Sequence, residues 1–220
     1  MPPSVTTAKA REPAPVPITQ PGADQPARTF IFPAAQSLGM LHAREWNIED
    51  AKAWKPLGPA RGEVSVPAGK VVKLVIGQGE TKDLTPLSQL SPDALDSLIL
   101  IGNDLTDAGL AAISGLTGLR RIEITSSKVT DAGLAALKGM SGLRELHLYG
   151  LSLTDEGLAA LEDLKTLEVL EIAQSGISNS GLVHIKKLTG LRRLIISGTK
   201  VSQEGLTVLK YDLPRCEVVQ

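Results

Sequence analysis

Apolar residues recur along most of this chain in a fixed order. The spacing L-x-x-L-x-L appears at Leu95/Leu98/Leu100, Leu119/Ile122/Ile124, Leu143/Leu146/Leu148, Leu167/Leu170/Ile172 and Leu191/Leu194/Ile196, with a step of 24 residues. Val71/Leu74/Ile76 fit the same step one unit earlier, and Leu213/Cys216/Val218 repeat the pattern two residues early. Gly109, Gly133, Gly157, Gly181 and Gly205 keep the step, each followed by Leu. So do Leu105, Val129, Leu153, Ile177 and Val201. So many columns in one register make an internal repeat.

Each unit reads physically as a strand, a turn and a short helix. The alternating L-x-L core predicts a strand with one buried face. A hydroxyl column follows at Thr106, Thr130, Thr154, Ser178 and Ser202, where it can cap a helix N-terminus. Asp107, Asp131 and Asp155 come next, where a carboxylate suits the positive helix end. Helical spacing then joins Leu110 to Ile113, Leu134 to Leu137 and Leu158 to Leu161. Glycine disfavours a helix, so the Gly column predicts close packing against the neighbouring coil. Gly115, Gly139 and Gly190, with Gly118 and Gly142, end the helices before the next strand.

These units resemble the leucine-rich repeat family, whose consensus is L-x-x-L-x-L-x-x-N-x-L. Leu-Thr-Asp-Ala-Gly-Leu at 105–110 and Val-Thr-Asp-Ala-Gly-Leu at 129–134 are similar to its bacterial subtype with 24-residue units. The resemblance implies an α/β solenoid, with a curved parallel sheet inside and short helices on the convex side. It also implies protein or peptide recognition. The family's Asn column is Asn103, Ser127, Leu151, Ser175 and Thr199 here, so a polar ladder is expected to be interrupted at Leu151. Pro86 occupies the Leu110 column of the first unit, whose helix is expected to be a single turn.

Outside the repeat the composition changes. Eight of the 14 Pro lie in the first 33 residues, and the stretch from Pro2 to Arg28 has almost no large apolar side chains. Residues 1–29 are therefore expected to be a disordered leader, read as a spacer in preference to a polyproline ligand. Residues 30–69 hold Phe30, Phe32, Trp46 and Trp54 and suit a small β-rich cap over the first unit of a solenoid spanning 70–220. Residues 37–44 suit a strand, and 61–66 with 70–76 suit a hairpin around Pro67-Ala68-Gly69. The shortened last unit, with Tyr211, suits the C-terminal cover. The single Cys216 falls in a core column, which favours a buried structural thiol. One Cys excludes disulfide-stapled caps, which favours a bacterial or cytosolic origin.

Composition narrows the function. The 23 Lys+Arg and 24 Asp+Glu nearly cancel, so no phosphate-tracking basic stripe is expected, and nucleic acid is excluded as a partner. No apolar run is long enough for a membrane helix, so no direct membrane insertion is expected. Met1-Pro2-Pro3 opens no signal peptide, leaving the compartment open between cytoplasm and export with a removed signal. The glycines follow the repeat period and form no phosphate-binding loop. No nucleophile with an orienting partner is visible, so catalysis and cofactors are not expected.

The variable strand positions should line the concave face. Lys73, Arg120, Arg121, Glu123, Arg144, Glu145, His147, Tyr149, Glu171 and Arg193 are the candidate binding residues. Glu123, His147 and Glu171 should stand side by side, as strands about 4.8 Å apart place them. Two carboxylates around an imidazole could hold a metal ion or an imidazolium. The preferred reading is an alternating-charge ladder within a binding patch of a monomeric module. A structural or envelope-tethered spacer is the alternative function, and a metal site at Glu123/His147/Glu171 the remote one.

Overall fold

A computed structural model describes residues 26–47, 51–81, 83–102, 104–125 and 127–220. Strands β1 (Arg28–Ile31), β2 (Met40–Glu45), β3 (Lys55–Pro59) and β4 (Glu63–Val66) precede the repeats. The repeat strands are β5 (Lys70–Ile76), β6 (Ser97–Ile101), β7 (Arg121–Thr125), β8 (Glu145–Tyr149), β9 (Val169–Ala173) and β10 (Arg193–Ser197), followed by β11 (Glu217–Val219). β5 to β11 pair in parallel and in sequence order. The pairing keeps the 24-residue register, with Leu74, Leu98, Ile122, Leu146, Leu170 and Leu194 opposite one another. β2 and β3 add antiparallel strands beyond β5, giving nine strands. Pro56 and Pro59 on β3 remove N–H donors from that outer edge.

The core lies between this sheet and the helix side. Each of the six L-x-x-L-x-L triplets from Val71/Leu74/Ile76 to Leu191/Leu194/Ile196 is buried, as are Leu105, Val129, Leu153 and Ile177. Burying one such side chain stabilises the fold by about 1.5–3 kcal/mol, so the repeat is a repeated hydrophobic contribution along the stack. The thinness of each coil explains the scarcity of aromatics. Leu-sized side chains fill it, while Phe30 and Phe32 enter the core only at the N-terminal end, edge to face at 6.1 Å.

The helix side is shorter and tighter than the sequence spacing suggests. Helices α1 (Asp107–Ala111), α2 (Asp131–Leu134) and α3 (Leu182–Ile185) are one turn each, and only α4 (Gln203–Asp212) is longer. Between them run 3₁₀ segments, at Glu156–Leu161 and, in the first unit, at Thr85–Gln89 with Pro86 in its first turn. Thr106, Thr130, Ser178 and Ser202 cap their helical turns as their type predicts. Thr154 does not. Its hydroxyl donates to Asp131 Oδ2 at 2.6 Å.

That contact belongs to a row of bonds between neighbouring coils. Asp107 Oδ1 accepts the Thr130 N–H at 2.7 Å and its Oδ2 the Thr130 hydroxyl at 2.7 Å. Asp131 holds Thr154, and Asp155 holds Ser178, in the same way. Asn179 continues the row, accepting the Ser202 N–H at 2.9 Å and donating to its hydroxyl at 3.0 Å. The Asp column thus joins coils as well as suiting helix ends. It also explains the Gly column, because a Cβ on Gly181 would lie 2.6 Å from Asp155 Oδ1. The expected Asn-column ladder is absent at the described positions. Ser127 and Thr199 instead accept N–H bonds from Val129 and Val201 in their own coils, and Leu151 is buried in the core.

Three further expectations are corrected. β4 does not form a hairpin with β5. It pairs with β1, because both edges of β5 are taken by β2 and β6. That strand pair begins at Arg28, inside the span expected to be leader, while residues 1–25 of the leader lie outside the described residues. Tyr211 covers nothing. It is 84% exposed, and the last coil is closed by Leu213, Cys216 and β11. Trp54, from the span expected to form the cap, lies half-buried beside two cations, described below. Cys216 is buried, and burial pushes its thiol up to about 11, as a structural thiol requires.

Candidate functional site

Strand alternation places one set of side chains in the core and the other on the open face of the sheet. On β7 this leaves Arg121, Glu123 and Thr125 facing out, beside Glu145, His147 and Tyr149 on β8 and Glu171 on β9. Parallel pairing sets Glu123, His147 and Glu171 in one row, as the repeat predicts. Their contacts differ from the expected trio.

Arg121 takes both nearby carboxylates. Its guanidinium lies 2.5 Å from Glu145 Oε2 and 3.2 Å from Glu123 Oε2. His147 therefore meets Glu145 of its own strand instead of Glu123. His147 Nδ1 is 3.0 Å from Glu171 Oε2. Its Nε2 is 3.6 Å from Glu145 Oε2, an ion-pair distance too long for a hydrogen bond. Tyr149 stacks beside the imidazole at 6.3 Å, with its hydroxyl 3.4 Å from Nδ1. The result is a continuous chain Glu123–Arg121–Glu145–His147–Glu171 across three strands. Arg121 draws Glu123 away from the imidazole, so the proposed metal trio does not converge. Among the described residues no group of three His, Cys, Asp or Glu is placed to hold a metal ion.

The electrostatics follow from burial and pairing. His147 is only 8% exposed. Burial alone would lower its pKa, but Glu145 and Glu171 outweigh it and hold the imidazole above its ordinary range. His147 and Arg121 hold Glu145 below the usual carboxylate range. Burial works the other way on Glu171, but Tyr149 and His147 prevail and keep it low. Burial and the Glu171 carboxylate raise the Tyr149 phenol, which stays neutral.

A second row lies where the chain enters each strand. Asp96 sits 3.7 Å from Arg44 and 3.8 Å from Arg120. Further along, Glu168 joins Arg144 and Arg192. Asp96 shares the 24-residue column of Arg120, Arg144, Glu168 and Arg192, so the repeat contained the signal that finds it. Arg193 stands apart, largely exposed and 3.8 Å from Glu217.

At the N-terminal end of the face, Trp54 lies between Arg44 and Lys73. The Arg44 guanidinium carbon and the Lys73 Nζ are each 4.8 Å from its ring centroid. These contacts are cation–π in geometry. Neither Trp54 nor Arg44 belongs to the repeat, so spacing could not place them. The antiparallel pairing of β2 with β5 brings them there.

Among solved structures the chain is similar to internalin C2 from Listeria monocytogenes. Identity is 28% and the TM-score 0.53, over 66% of this chain and 60% of that one. Internalin F from the same organism shares 20% identity at a TM-score of 0.51, over 67% of this chain and 46% of that one, which compares the fold alone. The chain thus spans less than two thirds of either structure's length. No protein-family model matches the chain, and no curated protein matches it.

Proposed function

We propose that this chain, a bacterial leucine-rich repeat protein, is a non-enzymatic module that binds a protein or peptide on the open, concave face of its sheet. The observation that carries this reading is the ordered state of that face. Arg121, Glu145, His147 and Glu171 hold one another in place, with Tyr149 against them, while the Arg121 and Glu145 side chains stay partly exposed. Side chains already fixed lose little freedom when a partner docks. Tyr and Arg are also the residue types that dominate binding energy at interfaces. In the same reading residues 30–69 form the cap of the solenoid 70–220.

The test is selection of binders from an unbiased displayed peptide library. Selected peptides should lose about 2 kcal/mol of affinity or more, roughly thirtyfold, on the triple change Arg121→Ala, Arg144→Ala and Tyr149→Ala. Thermal unfolding of the variant checks that it is folded. Undiminished binding by a folded variant refutes the open-face reading.

A further inference from the structure

The open face is not uniform in charge balance. Arg44 has Asp96, and Arg121 has Glu123 and Glu145. Lys73 makes no ion pair among the described residues, and its ammonium rests on the Trp54 ring. Burial depresses its pKa, and repulsion from Arg121 and Arg44 adds to that, against a weaker pull from Glu123. Lys73 is thus the surplus cation of a cationic neighbourhood.

Ser97 lies between Lys73 and Arg121 in the same cross-strand row. It is the smallest side chain there, on the strand midway between two long cations. Ser97 is 2% exposed, and its hydroxyl has no hydrogen-bond partner among the described residues. A buried hydroxyl without a partner is the exception in folded proteins. Here it faces the side of the sheet that carries the two cations.

We infer that Lys73, Arg121 and Ser97, with Trp54 as an apolar wall, form a seat for a side-chain carboxylate of an acidic peptide segment. The inference rests on the open-face reading above. A carboxylate entering between Lys73 and Arg121 supplies the acceptor that the Ser97 hydroxyl lacks and the counter-charge that Lys73 lacks. Carboxylates suit the site better than a phosphate polymer. Asp96, Glu123 and Glu145 lie close by and repel a dense anion, while one surplus cation matches one isolated charge. The Trp54 ring holds the Lys73 ammonium in place beside the incoming carboxylate.

The same displayed library tests the seat, together with a fluorescent Glu-rich dodecapeptide titrated at low and high salt. Selected peptides should be enriched in Asp and Glu, and the labelled peptide should bind more weakly as salt rises. Lys73→Met keeps the stem against Trp54 and should weaken both by about tenfold. Ser97→Ala should weaken them about threefold without loss of thermal stability. Peptides that lose binding in the triple variant but lack acidic residues, or ignore Lys73→Met, overturn the seat and leave the open-face reading standing. Peptides that ignore the triple variant overturn both. No binding of the labelled peptide up to about 1 mM, a very weak affinity, also overturns the seat.

Discussion

The two sides of the sheet use polar residues in opposite ways. On the helix side, Asp107, Asp131, Asp155 and Asn179 each reach the hydroxyl and N–H of a residue 23 positions later, coil after coil. On the open face the rows change at every coil, from Lys73 to Ser97, Arg121, Glu145 and Val169. Polar groups that repeat with the solenoid satisfy its backbone and set the distance between coils. Polar groups that break the repeat contribute nothing that stacking requires, which is why the candidate site is sought among them.

The largest effect should come from wedging the helix-side row apart. Gly181→Ala places a methyl against Asp155, whose Oδ1 accepts the Ser178 N–H at 2.7 Å and whose Oδ2 accepts the Ser178 hydroxyl at 2.6 Å. Overpacking of this kind costs about 1–3 kcal/mol, read as a lower denaturant midpoint. Asp155→Ala should cost a similar 1–3 kcal/mol, because it strands the Ser178 N–H. In the double variant the methyl no longer meets a carboxylate, and Ala gains about 1 kcal/mol of helix propensity over Gly. The double-mutant cycle should therefore show strong coupling. Independent, additive losses would show that the Asp row does not dictate the Gly column.

Breaking the open face should cost less stability. Arg121→Ala should lower stability by no more than about 1 kcal/mol, since its guanidinium and both carboxylates are partly exposed. A loss matching that of Asp155→Ala would erase the distinction between the two sides.

A smaller effect distinguishes them by pH. The His147 pKa is raised in the folded chain, so its contribution is complete below the unfolded value near 6.5 and is lost as pH rises through the folded value. Glu145 and Glu171 are depressed, so their contribution is present above the ordinary carboxylate range and lost as pH falls through their folded values. His147→Gln should flatten the upper limb of the stability–pH curve, and NMR titration of the imidazole should give a midpoint above that of a free histidine. A midpoint at or below it refutes the imidazolium assignment. The smallest effect is at Cys216. With its thiol at about 11 and buried, native alkylation at pH 8 should run no faster than unfolding exposes it.

Much of this was legible in advance. The step of 24 predicted the strand register, the buried triplets, the hydroxyl caps at four of five positions and the row of Glu123, His147 and Glu171. Contact within that row was not legible. Arg121 can reach either Glu123 or Glu145, and nothing in the spacing says that it takes both and leaves His147 to Glu145 and Glu171. Asp96 was legible as well, because it heads the 24-residue column of Arg120, Arg144, Glu168 and Arg192. The place of Trp54 on the open face was not legible, since a large aromatic outside the repeat carries no register to place it.

Taken alone, the sequence determined the solenoid. Periodic apolar columns admit one way to bury every Leu, and a parallel stack with a 24-residue register achieves it. Side-chain pairing was decided by the tertiary structure. Strands only about 4.8 Å apart bring several charges within reach of each other, and the choice among them depends on which pairs also fill space and satisfy buried polar atoms. The seat at Lys73, Ser97 and Trp54 exists because an antiparallel strand outside the repeat lays its neighbour against the first coil.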